Sequence, residues 1–259
     1  MLTQPLITQL TELKLKGMAA ALIQQTHSPD LQRMTFDERL GMLIQQESLG
    51  RSDYRMAQRL RWAKLLQNAC MEDIDRAAVR GLEAGQWQQL ADLRWIHNHL
   101  NVLLTGPTGV GKSYLASALA HAACRVDLSV RCYRLPRLID ELVRVASLQK
   151  RSAFLRQLSR VNLLLIDDFG LTPLADCNVR DLLEILEDRY DKQSTLISSQ
   201  LPLDQWYAYL GDKTVADALL DRLVHNAYKL NLNGESIRKA KSIKTTRPAK
   251  TTPKSLTKG

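Results

Sequence analysis

Residues 101–120, NVLLTGPTGVGKSYLASALA, narrow the folds open to this chain more than any other stretch. A short apolar run reads as a buried strand, then comes a glycine-hinged loop, then the start of a helix. The loop, Gly106, Pro107, Thr108, Gly109, Val110, Gly111, Lys112 and Ser113, matches in full the pattern that cradles a nucleoside triphosphate. Its glycines let the backbone curl so that successive N–H groups face phosphate oxygens, and the following helix adds its positive N-terminal end. Lys112 is expected to reach the β- and γ-phosphates, and the Ser113 hydroxyl to ligate Mg²⁺. By average residue frequencies, a chance match in a chain this long has a probability on the order of one in a hundred. ATP and Mg²⁺ are therefore the expected cofactors.

Such a loop needs a second, acidic element. In NLLLIDDFG, four apolar residues (Leu163 to Ile166) run into Asp167 and Asp168. Two carboxylates at the carboxyl end of a buried strand divide the chemistry: Asp167 holds Mg²⁺ through its water shell, and Asp168 polarises the attacking water. The next strand ends in LISSQLP, where Ser199 and Gln200 are both candidates to sense the γ-phosphate. Arg222 has Ala218, Leu219, His225 and Asn226 as its helical neighbours, so no acid faces it at that spacing. It is expected to complete a neighbouring subunit's site as an arginine finger; the competing reading is a salt bridge to a distant acid. Arg238, in GESIRK, is a further candidate for the γ-phosphate, with Glu235 three residues before it as a competing partner.

The rest of the chain sets the frame. From residue 101 the runs NVLLT, SVRCYR, NLLLID and STLISS alternate with helical periodicity, the signature of an α/β fold with a parallel sheet and crossover helices. The first hundred residues read as helical, with Leu6, Leu10 and Leu13 at helical spacing. Thr35 and Glu38 form a capping box ahead of a stripe of Leu40, Leu43 and Ile44. After Gly211, KTVADALLDRLVHNAYKL reads as one more helical segment, and from about residue 242 the Lys/Thr/Pro-rich chain is expected to be disordered. No run of about 18 apolar residues is present, and the N-terminus lacks a signal-peptide core. Cys70, Cys124, Cys132 and Cys177 lie far apart with no CxxC pair. A cytoplasmic chain without a membrane, disulfide framework or zinc is expected.

Charge supplies the first hint of a partner. The net charge is +9, yet residues 236–259 alone carry +8, residues 131–160 carry +6 and residues 51–64 carry +4. Segregation of this kind favours an anionic polymer. Arg51, Arg55 and Arg59 share one helix face, with Glu47 alone close enough to offset them. Arg134, Arg137, Arg144, Lys150 and Arg151 lie in the second patch. All eight are candidate contacts to nucleic acid.

Taken together, GPTGVGKSYLASALA, LLLIDDFG, LISSQLPLDQW and LLDRLVHNAYKLNLNGESIRK, in this order and spacing, resemble the IstB-like transposition helper ATPases of bacterial insertion sequences. The front segments LTELKLKGMAAAL, RLGMLIQQE and YRMAQRLRWAKL are similar as well, so the resemblance spans roughly residues 1–240. It implies an AAA+ ATPase of the initiator and helicase-loader group that binds double-stranded DNA with little sequence preference. It also implies homo-oligomers with ATP sites at subunit interfaces, an integrase-type transposase as partner, and disassembly upon hydrolysis. The helical insertion that contacts DNA in that group corresponds here to the second patch.

The organisation expected is a helical N-terminal domain over 1–70 for DNA, partner or self-association, and a linker with helical lead-in over 71–100. The AAA+ domain with a small C-terminal helical lid follows over 101–241, then a basic tail over 242–259. One departure stands out: Asp-Asp replaces the usual Asp-Glu of the acidic strand, which points to slow hydrolysis and a timer rather than a motor. A replicative helicase loader shares the fold and the finger, but loaders often carry an N-terminal zinc site, and only Cys70 is present here. A metabolic P-loop kinase would need a second substrate pocket and leaves the basic patches unexplained.

Overall fold

The computed structural model describes residues 3–74 and 81–234. It divides into two compact units, residues 1–62 and 63–259. Arg238, the expected lid and the basic tail lie outside the described residues.

The first unit is helical: α1 (Thr3–Glu12), α2 (Lys16–His27) and the long α3 (Phe36–Ala63). The capping box forms as expected, with the Glu38 amide donating to Thr35 Oγ1 at 3.3 Å and the Thr35 amide donating to Glu38 Oε2 at 2.8 Å. Glu47 on α3 has a second task beyond offsetting Arg51. Its carboxylate accepts from the Gly17 and Met18 amides at 2.8 and 3.2 Å, capping an α2 N-terminus that has no side-chain cap of its own, and also from Arg51 Nε at 2.7 Å. Gly17 permits this approach: a Cβ there would stand 2.7 Å from the Glu47 Cα.

In the second unit, α4 (Ala84–Ala91) and α5 (Arg94–His97) lead into an alternation. It runs β1 (Asn101–Thr105), α6 (Lys112–Arg125), β2 (Val130–Arg134), α7 (Leu135–Ser147), α8 (Arg151–Arg160), β3 (Leu163–Phe169) and α9 (Asp176–Arg189). It closes with β4 (Ser194–Ser199), α10 (Trp206–Leu210), α11 (Lys213–Val224) and β5 (Ala227–Asn231). The five strands form one parallel sheet in the order β2-β3-β4-β1-β5. Leu103, Leu164, Ile166 and Ile197 face a cluster built with α7 to α11. Their strand neighbours Val102, Leu104, Leu163, Leu165 and Leu196 are equally buried and alternate to the opposite face, the side of α6. Among the described residues no helix is long and apolar enough to cross a membrane.

The α/β expectation is met, with one correction. KTVADALLDRLVHNAYKL is not a single helix: α11 ends at Val224, and Ala227–Asn231 is the edge strand β5, paired along the whole of β1. The Asn101 side chain marks the break. Its Nδ2 donates to the Arg222 and Leu223 carbonyls at 3.1 and 3.3 Å, satisfying the end of α11, while its Oδ1 accepts from the Thr195 amide at 2.9 Å. A second polar anchor is Arg189, 1% exposed, which donates to Thr195 Oγ1 (3.1 Å), Leu158 O and Val161 O (3.0 Å) and Ser194 O. It thereby ties the end of α8 to the start of β4.

Candidate nucleotide-binding site

The carboxyl ends of β1, β3 and β4 converge, as ligand sites in open parallel sheets do. From β1 the loop turns through Gly106 (φ +140°), Gly109 (+88°) and Gly111 (+100°), the last capping α6. These values lie where side-chain-bearing residues are strained, so the curled backbone depends on glycine. Gly106 has a further constraint: a Cβ would come within 2.1 Å of the Leu232 carbonyl oxygen, where the chain leaves β5. Lys112 is buried and donates to the Gly106 and Pro107 carbonyls at 2.7 and 2.9 Å, holding the ammonium beneath the loop.

Asp167, 2% exposed, directs Oδ1 at the Ser113 hydroxyl, which donates at 3.0 Å. The two residues expected to hold Mg²⁺ are thus adjacent, and an all-oxygen donor pair suits that ion, while the α6 N-terminus beside it suits the phosphates. The residues present fit a Mg²⁺–triphosphate. A residue absent from the sequence reading joins them: the Ser198 hydroxyl, buried on β4, donates to the same Asp167 Oδ1. The serine-rich end of STLISS was visible in the sequence, but the register that sets Ser198 beside Asp167 was not.

Asp168 turns away from its neighbour. It adopts φ +60°, at an irregularity where the β3–β4 ladder passes from Ile166–Ile197 to Phe169–Ser199. Its carboxylate lies 3.7 Å from Arg134 Nε, at the end of β2. Below it, Phe169 packs against Trp206 and Tyr209 at centroid separations of 4.4 and 5.4 Å, and the Tyr209 hydroxyl donates to the Thr172 carbonyl at 2.7 Å. Burial pushes that hydroxyl up to about 12, so it stays a donor at physiological pH.

The two γ-phosphate candidates separate. Gln200 Oε1 accepts from the Thr108 hydroxyl at 2.6 Å, which sets its side chain on the phosphate loop itself. The buried Ser199 hydroxyl instead donates to the Phe169 carbonyl at 2.6 Å and accepts from the Leu201 amide at 3.0 Å, so both of these bonds go to backbone.

Arg222 meets a distant acid within its own chain, the competing reading of its role. Its Nε donates to Glu187 Oε2 at 2.6 Å and its Nη2 to Glu187 Oε1 at 3.4 Å. Its Nη1 approaches Ala218 O and Asp221 Oδ2 at 3.4 and 3.3 Å. Helical spacing alone could not see Glu187, which comes from α9. The Arg222 hydrogen bond holds the Glu187 carboxyl below its ordinary range.

The second basic patch is less free than charge counting suggested. Besides Arg134 on Asp168, Arg137 pairs with Asp140 at 3.5 Å and Arg144 is bidentate on Glu141 at 2.6 and 2.9 Å. Arg151 bridges Asp181 at 2.7 Å and Glu184. Arg131 is buried with Nε on the Tyr133 hydroxyl. Within this patch Lys150, at the start of α8, and Arg156 and Arg160, on it, are exposed and have no carboxylate partner among the described residues. In the first unit, Arg51 is held by Glu47, and Arg55 is exposed on the same helix. Arg59 lies one turn further along it.

Known proteins agree with this geometry. The family of IstB-like ATP binding proteins matches residues 8–245. An insertion sequence ATP-binding protein of Sinorhizobium fredii is 44% identical over 92% of this chain and 98% of its own length. The IS21 insertion sequence ATP-binding protein of Pseudomonas aeruginosa is 32% identical over 88% of this chain and 86% of its own. Among solved structures, the DnaC helicase loader superposes with a TM-score of 0.53 at 21% identity, covering 66% of this chain and all of that one. AMPPCP-bound DnaA from Aquifex aeolicus gives 0.55 at 18%, covering 73% and 58%. Those likenesses identify the AAA+ P-loop fold. With the phosphate loop, the acidic strand and the relatives in agreement over nearly the whole length, this chain belongs to the IstB-like ATP-binding proteins of insertion sequences.

Proposed function

We propose that this protein is a Mg-ATP-dependent ATPase that assembles on double-stranded DNA without sequence preference and assists the integrase-type transposase of its element in target selection and strand transfer. The observation that carries the reading is the convergence of Lys112, Ser113, Asp167 and Gln200 on one loop, in a chain of an insertion-sequence family. Mg²⁺, which Ser113 and Asp167 would hold, would supply neutralisation of phosphate charge. Lys112 leaves the loop carbonyls for the phosphate oxygens, Gln200 orients the γ-phosphate, and Asp168 accepts the proton of the attacking water. Water oxygen bonds to the γ-phosphorus, the bond to the β-phosphate oxygen breaks, and ADP and phosphate leave.

Arg222 completes the site of a neighbouring copy. All three of its guanidinium nitrogens are engaged within its own chain, so Glu187 must be exchanged for phosphate when copies meet. Lys112→Ala should abolish ATP-stimulated assembly, and Arg222→Ala should spare nucleotide binding while impairing hydrolysis. Mixing the two variants should restore activity if the finger acts in trans; failure to complement would place Arg222 within its own chain.

DNA contacts come from the exposed cations of α3 and α8, in the cytoplasm where the element's DNA resides. The decisive experiment is a gel shift on random duplex DNA with and without a non-hydrolysable ATP analogue. Assembly only with the analogue is expected. A protein that stays a single particle and ignores DNA refutes the proposal.

A further inference from the structure

Two adjacent serines of β4 bond to β3 around its two adjacent aspartates, Ser198 to the Asp167 carboxylate and Ser199 to the backbone carbonyl of Phe169, the residue after Asp168. The parallel ladder pairs Ile166 with Ile197 and then Phe169 with Ser199, so β3 carries one residue more than β4 between those pairs. This is a β-bulge, and bulges re-aim side chains beside functional sites. Here it separates two carboxylates that neighbour each other in sequence: Asp167 stays buried, while Asp168 takes φ +60° and leans toward Arg134.

We infer that Ser198 and Ser199 are positioning residues with separate targets, Ser198 setting the carboxylate of Asp167 and Ser199 setting the bulge that aims Asp168. The inference rests on the proposed roles of those aspartates in holding Mg²⁺ and orienting water. Both serines are 1% exposed, and a hydroxyl has one proton to donate, so each can hold a single acceptor. Ser198 donates to Asp167 Oδ1, which also accepts from Ser113. Once the Ser113 oxygen turns to a metal, Ser198 is the side-chain donor that keeps Asp167 in place. Ser199 donates to the carbonyl of Phe169, the residue after Asp168, and its oxygen accepts the Leu201 amide. That pair of bonds closes the bulge from the β4 side.

The test uses the full chain with Ser198→Ala, Ser198→Thr, Ser199→Ala, Asp167→Asn and Asp168→Asn. Binding of a fluorescent ATP analogue is titrated with Mg²⁺, and ATP turnover is measured alongside. Ser198→Ala should raise the Mg²⁺ concentration for half-maximal binding roughly 10-fold, as loss of a partner behind a metal ligand does. Its Mg²⁺-free affinity should be unchanged, and Ser198→Thr should restore the midpoint. Ser199→Ala should keep the wild-type Mg²⁺ midpoint and lose roughly 10- to 100-fold in kcat at constant KM, the cost of a misplaced catalytic group.

If Asp167→Asn shifts the midpoint and Ser198→Ala does not, or if the two serine variants behave alike, the inference is overturned while the site reading stands. If Asp167→Asn itself leaves the midpoint unmoved, or Asp168→Asn turns over normally, the site reading fails. Should Ser198→Ala unfold in a thermal scan, Ser198→Cys keeps the volume with a weaker donor. It should give an intermediate Mg²⁺ midpoint, and a wild-type midpoint there overturns the inference.

Discussion

Replacing Gly106 with alanine tests whether the phosphate loop is held in shape by its neighbour as well as by its own backbone. The added Cβ would stand 2.1 Å from the Leu232 carbonyl oxygen and 3.1 Å from its carbonyl carbon, and both atoms are backbone. To reach a normal contact of roughly 3.5 Å, loop and strand exit must separate by more than 1 Å. That motion opposes the bond from the Leu232 amide to the Thr105 carbonyl at 2.8 Å, which seals the end of the β1–β5 pair. Three effects add: φ +140° is strained for alanine by about 1–3 kcal/mol, overpacking costs about 1–3 and the lost bond about 1. A total of roughly 3–7 kcal/mol corresponds to a fall of about 6–28 °C in Tm for a unit of this size.

The assay pairs thermal unfolding with binding of a fluorescent ATP analogue, and Gly211→Ala is the control. Gly211 also has positive φ (+80°) but nothing within 4 Å of its added Cβ, and it closes α10 rather than belonging to the loop. It should lose only the strain, about 1–3 kcal/mol, and bind nucleotide normally. A Gly106→Ala protein that unfolds and binds like the wild type would refute the reasoning.

Three further outcomes are expected. Helix propensity alone says that glycine to alanine in α2 and α3 stabilises, and Gly41→Ala and Gly50→Ala, with nothing within 4 Å, should do so by about 0.5–1 kcal/mol. Gly17→Ala should instead destabilise, because its Cβ meets the backbone of Gln46 and Glu47 below 3 Å; denaturant midpoints give the sign. Arg156→Ala and Arg160→Ala should each flatten the salt dependence of DNA binding by about one unit of slope per phosphate contact. Arg151→Ala, whose guanidinium is held by Asp181 and Glu184, should leave that slope alone; the reverse pattern would return the interface to the paired arginines. Finally, the Arg51 hydrogen bond and the Gly17 and Met18 amides keep the Glu47 carboxyl below its ordinary range. Its contribution is then fully present above about pH 4.3 and lost as pH falls through the lower folded value. Glu47→Gln should flatten helix content measured by circular dichroism between pH 5 and 3; an unchanged acid transition would show that the cap contributes nothing.

Legibility tracked the range of the interaction. The phosphate loop, the paired aspartates, the four strands from NVLLT to STLISS and the Thr35–Glu38 cap are contiguous patterns, and each appears in place. The helix drawn through KTVADALLDRLVHNAYKL failed because its apolar spacing continues past Val224. What ends it is the Asn101 side chain and a strand partner more than a hundred residues away. The pairing of the arginines was hidden for a similar reason: Asp181 and Glu184, which hold Arg151, belong to α9, and Glu187 meets Arg222 across a gap of 35 residues.

The amino-acid order by itself determined that this chain curls a glycine loop around phosphates beside a buried acidic strand, because such features need only local backbone geometry and strand hydrophobicity. Tertiary structure alone decided that Ser198 faces Asp167 while Ser199 holds the Phe169 carbonyl, that Gln200 rather than Ser199 reaches the loop, and which arginines are already paired. Those choices depend on strand register and helix packing. They are set by the summed burial of a whole sheet, and no local window of residues encodes them.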